Sequence, residues 1–129
     1  MKTGLAIALA LCLPVASVAA QACEGRPAVL RVSEVNSRPV FDAAVVAHTK
    51  WYRDKGVTDN QQLVLPVYKE PATRSAPLVI DSTRVITLHV NPPAGAGPAR
   101  DAAWDAFVKQ YAAASKVVAT YIVCLPKTL

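Results

Sequence analysis

The sequence predicts an α+β fold, a sandwich of two helices packed on one face of a four-stranded antiparallel sheet in the order βαββαβ. Three observations carry this. Apolar residues switch between alternation and helical spacing in the order strand, helix, strand, strand, helix, strand. Proline, glycine and asparagine clusters separate the segments, above all at residues 91–98. Two cysteines, Cys23 and Cys124, flank the first and last of them. At 129 residues the chain is one domain, since two cores would not fit, and an apolar fraction of 53% sets it apart from disordered chains.

The segments are read after a leader is set aside. Met1-Lys2-Thr3 makes a short basic start, residues 4–18 are almost wholly apolar, and small residues follow up to Ala22. This is the pattern of a secretory signal peptide over residues 1–22, cleaved after Ala20 or Ala22. The run contains Pro14 and is shorter than the roughly 20 residues a bilayer core requires. Residues 23–129 then form the single folded domain. Loss of Lys2 leaves 13 basic against 9 acidic side chains, a net charge of +4. The basic residues are scattered rather than striped, and export removes nucleic acid as an expected partner.

Residues 28–35 alternate as a strand, with Leu30 and Val32 on one face and Arg31 and Ser33 on the other. Ser37 is placed as an N-cap, and Pro39 is tolerated in a first turn. From Val40 to Tyr52 apolar residues recur at helical spacing, and Gly56 ends a helix of about 18 residues. Residues 62–68 read as a second strand, which Pro66 confines to a sheet edge or a bulge. After a loop over residues 69–77, residues 78–91 form a long strand or a hairpin broken near Asp81-Ser82. Its later half sets Ile86, Leu88 and Val90 opposite Thr87, His89 and Asn91. Beyond the proline-rich loop, Trp104, Phe107, Val108 and Tyr111 mark a second helix with Asp101 in its first turn, ending near Ser115. Residues 116–124, rich in Val, Ile, Thr and Tyr, make the last strand.

This order is that of a ferredoxin-like sandwich. Cys12 leaves with the leader, and the remaining even pair in an oxidising compartment is most simply a Cys23–Cys124 disulfide. The fold agrees independently, because its first and last strands are antiparallel neighbours. The rival is acylation of Cys23 in a lipid-anchored envelope protein, although Ala20-Gln21-Ala22 lacks the usual Leu.

Over residues 28–124, through element order and the aromatic second helix around Trp104 and Phe107 leading into a Val-rich strand, the chain resembles the dimeric α/β-barrel superfamily, which includes the antibiotic-biosynthesis-monooxygenase-like barrels. The resemblance implies two sheets paired in a homodimer, small ligands held beside the helices, and in some members oxygenase, isomerase or decarboxylase chemistry. No catalytic motif of those members can be carried over residue by residue.

Two groups of side chains could carry function. His48, Trp51 and Tyr52 share one helix surface, where an imidazole beside two aromatic rings suits acid–base work or stacking of a flat ligand; core packing is the plainer role. Arg31, His89 and Tyr68 fall on the sheet face opposite Leu30 and Leu88. If the apolar set meets the helices, that face is either solvated or the seam of a dimer, and His48 and His89 lie on opposite sides of the sheet, unable to share a ligand. No phosphate-binding loop, nucleophile elbow, metal motif or cofactor signature is found, so neither metal nor cofactor is expected. The expectation is a periplasmic or secreted domain that pairs as a homodimer and binds a small organic ligand or a protein partner. The alternative is a cofactor-poor barrel enzyme, of monooxygenase or isomerase type, with His48 as acid or base.

Overall fold

A computed structural model describes residues 22–128; the leader predicted for residues 1–22 lies, but for its last residue, outside them. Six elements follow one another: β1 (Arg26–Val35), α1 (Arg38–Asp54), β2 (Gln61–Lys69), β3 (Val79–Val90), α2 (Ala102–Ala114) and β4 (Ser115–Leu125). The strands form one antiparallel sheet in the order β2-β3-β1-β4, the ferredoxin-like arrangement.

Local chemistry accounts for the boundaries. Ser37 is the N-cap of α1, but its side chain makes no capping hydrogen bond, and the proline in the first turn fixes the entry instead. Gly56 closes the helix in the left-handed region, at φ 79°. β2 is an edge strand, and its register with β3 shifts between Pro66 and Tyr68, so Pro66 is both at an edge and beside an irregularity. β3 runs unbroken through Asp81 and Ser82, which excludes the hairpin. The Asp81 carboxylate instead accepts bonds from the Thr83 amide (3.0 Å) and hydroxyl (2.6 Å) within the strand. Asp101 is the N-cap of α2 rather than a first-turn residue, accepting from the Trp104 amide at 3.1 Å.

Cys23 and Cys124 are bonded, with Cα atoms 5.6 Å apart across 101 residues of sequence. Closing a loop of that length stabilises by about 4–5 kcal/mol on the chain-entropy model. Gly25 permits the approach: a Cβ there would stand 1.9 Å from the Leu125 carbonyl oxygen. With its sulfur held by Cys124, Cys23 has no thiol left for acylation.

The strand alternation is as the sequence predicts, but the faces are exchanged. Both helices lie over the set containing Arg31, Ser33, Val85, Thr87 and His89, where Phe41, Val85 and Ala114 build one core cluster and Trp51, Tyr52 and Phe107 another. Ala28, Leu30, Leu63, Leu88 and Val90 cluster on the face turned away from the helices. Register fixes this. Leu30 pairs with Leu88, and Leu88 with Leu63, whereas Arg31 pairs with Thr87, and His89 with Gln62. Among the described residues no helix is long and apolar enough to cross a membrane.

Candidate functional site

The exchange of faces brings together side chains that parity alone had separated. On α1 the buried stripe is Phe41, Ala44, His48, Trp51 and Tyr52, so the imidazole of His48 projects from the helix toward the sheet. β3 raises His89 from below, and the two imidazole centroids stand 5.6 Å apart. The expectation that His48 and His89 flank the sheet on opposite sides is therefore wrong. The alternation was sound, but the face it offers the helices is the polar one.

Around this pair the two helices supply a continuous aromatic cluster. Phe107 stacks on His48 at 4.5 Å, Trp104 meets His48 edge-on at 5.6 Å, and Trp51 packs against Trp104 at 4.8 Å. Trp51 is pinned at its polar end: its indole Nε1 donates to Asp101 at 2.8 Å, while Lys55 pairs with the other carboxylate oxygen at 2.7 Å. Those bonds, the Lys55 contact foremost and then the Trp104 amide and the Trp51 indole, hold the Asp101 carboxyl well below the usual range.

A second scaffold holds His89. Arg53, in the last turn of α1, donates to the Asn60 side-chain oxygen and to the Asn60 backbone carbonyl. The amide orientation is thereby set, and Asn60 Nδ2 faces His89 Nε2 at 3.3 Å. Because an amide nitrogen only donates, His89 Nε2 must accept and its proton resides on Nδ1. His48 Nδ1 lies 3.4 Å from the Tyr111 hydroxyl, and with the phenol donating, His48 carries its proton on Nε2, a buried atom with no protein partner.

Both imidazoles are held neutral. Burial first, then competition with His89 for a proton and the charge of Arg31, push His48 down to about 4; burial and then Arg31 push His89 down to about 4. Burial also pushes the Tyr111 and Tyr52 phenols up, against the opposing pull of Arg31 at Tyr111 and of Arg100, then Arg31, at Tyr52.

Between helices and sheet lies a cavity of about 430 Å³. Arg31, His48, Trp51, Tyr52 and His89, five of the six residues singled out from the sequence for chemistry or binding, line it together. Tyr68 does not. It pairs with Ile80 toward the far end of β2, six residues from Gln62, and is 45% exposed. Sequence reasoning missed Gln62, Tyr111 and Arg100 as lining residues, and Asn60 and Arg53 behind His89. Parity along β2 was the available signal for Gln62, since it pairs with His89 and shares its face. The proline-rich loop forms one wall, with Gly95 and Gly97 both at positive φ, and Arg100 at its end lies 4.7 Å over the Trp104 ring.

Among the described residues no three His, Cys, Asp or Glu converge as a metal site. No family model, curated protein or solved structure matches the chain.

Proposed function

We propose that this chain is an exported, disulfide-closed domain that pairs as a homodimer and binds a small organic ligand in the helix–sheet cavity without obligatory chemistry. The observation that carries the reading is the cavity of about 430 Å³ between helices and sheet, where Arg31, His48, Trp51, Tyr52 and His89 converge. Binding is favoured over acid–base catalysis by His48 itself: an imidazole pushed down to about 4 is a weak base near neutrality, poorly matched to proton abstraction there.

Export is supported by the disulfide, which persists in oxidising compartments, together with the leader pattern. Pairing is supported by the resemblance in element order to dimeric α/β barrels and by Leu65 and Tyr121, exposed apolar side chains at the margins of the face turned away from the helices.

Imidazole NMR of the mature protein, titrated with a panel of aromatic acids, amides and alcohols, tests the binding. The His48 and His89 resonances are expected to shift with at least one class, and a panel that leaves both unmoved defeats the reading. Light scattering tests the pairing. A dimer is expected, and Leu65→Glu with Tyr121→Glu, at positions 40% and 57% exposed on the face away from the helices, is expected to yield a folded monomer. A wild-type monomer at tens of micromolar would refute it.

A further inference from the structure

We infer that the cavity is built for a flat organic monoanion whose carboxylate sits on Arg31. This rests on the ligand-binding reading above and narrows it to a chemical class.

The charge around the cavity is one-sided. Arg31 projects from the central strand β1, and Arg100 from the loop before α2, while no Asp or Glu is among the lining residues. Asp101, bonded to the lining residue Trp51, is also paired with Lys55, while Asp42 and Asp54 on α1 are paired with Arg38 and Lys50. Arg100 is stacked on Trp104, but the half-buried Arg31 guanidinium has neither a carboxylate nor a hydrogen-bond acceptor among the described residues. Taking a charge out of water without a counter-charge costs several kcal/mol. The two imidazoles do not add to the positive charge, since both are neutral, nor do they supply a negative one.

The rigid fork of a guanidinium matches the two oxygens of a carboxylate, and one free guanidinium matches one such group. Part of the wall is aromatic or proline, from Trp104 and Tyr52 on the helices to Pro92 and Pro93 in the loop, which suits a flat ring system. About 430 Å³ lies toward the small end of ligand sites, appropriate to a bicyclic acid.

Calorimetric titration of the mature, disulfide-bonded protein at pH 7.5 with 2-naphthoate and 2-naphthamide, alike in shape and different in charge, tests this. The acid is expected to bind at least tenfold more tightly than the amide. Arg31→Gln is expected to abolish the preference of acid over amide, with Arg31→Lys between. The wild-type ratio decides the matter even if a variant folds poorly. Equal binding of acid and amide, or a preference that survives Arg31→Gln, overturns the inference while the cavity remains a ligand site. Failure of both probes to bind overturns the inference and the ligand-binding reading together.

Discussion

The two faces of one sheet differ in a way that reverses ordinary expectation. The face under the helices holds Arg31, Ser33, Thr87 and His89 among its valines, whereas the face turned away carries Ala28, Leu30, Leu63, Leu88 and Val90 in an unbroken apolar cluster. A lone antiparallel sheet normally gives its apolar side to the core and its polar side to water. Here the polar set is enclosed and forms the floor of a cavity. Polar residues are enclosed at a cost in stability, and on the proposed ligand-binding reading recognition is what that cost serves. The other face has Leu65 and Tyr121 exposed at its margins, the side chains that the proposed pairing would cover.

If the helix-covered face is the true core, truncating its central ring must be the most damaging change in the molecule. Phe107 is almost fully buried, stacks on His48 and contacts Trp51 and Trp104. Phe107→Ala is expected to cost about 3–5 kcal/mol in urea denaturation. Leu65→Ala on the opposite face is expected to cost under about 1.5 kcal/mol at concentrations where the protein is a monomer. Comparable losses at the two positions would show that both faces contribute equally to the monomer's core and would erase the contrast.

The enclosed histidines give the same contrast a pH signature. In the unfolded chain each titrates near 6.5, and in the folded chain near 4. Between those values the unfolded state binds more protons, so stability fully present above pH 6.5 is lost as the pH falls toward 4. Each histidine accounts for roughly 2–3 kcal/mol at the foot of that window. The lowered Asp101 carboxyl acts only below it. Urea midpoints measured from pH 7.5 to 4 are expected to fall through the window, and to fall much less in His48→Gln with His89→Gln. A flat wild-type profile would place both imidazoles in water.

The sequence made the framework legible because each boundary has a local cause: Gly56 for the left-handed end of α1, Pro66 for an edge, the cysteine pair for neighbouring first and last strands. The site was legible in its members but not in its assembly. His48, Trp51 and Tyr52 follow from helical spacing, and Arg31 and His89 from strand parity, yet parity defines two sets without saying which one meets the helices. Hydrophobicity was the only guide to that choice, and it fails here because the polar set floors the cavity under the helices while the apolar set clusters on the far face. A further clue was present in α1, whose inward stripe carries His48 and Tyr52, polar groups that pack most readily over a polar floor. Tyr68 was misplaced for a different reason. The register shift after Pro66 and the length of β2 carry it away from Gln62, and neither is visible in alternation.

The smallest expected effect runs opposite to the others. Arg31 has no counter-charge among the described residues, so the fold gains nothing from its charge and bears part of its desolvation. Arg31→Met keeps much of the side chain's length and apolar contact while removing the charge, and it is expected to stabilise the empty protein by about 1 kcal/mol. Because the Arg31 charge also helps hold His48 and His89 down, the same substitution is expected to raise the titration of both imidazoles in NMR, a change that a merely better-packed surface would not produce. A destabilised variant with unmoved histidines would mean that Arg31 is a structural member of the sheet, satisfied by solvent, and that the polarity of the helix-covered face needs another cause. A more stable variant with raised histidines that has lost its preference for 2-naphthoate would separate what this face contributes to folding from what it contributes to binding.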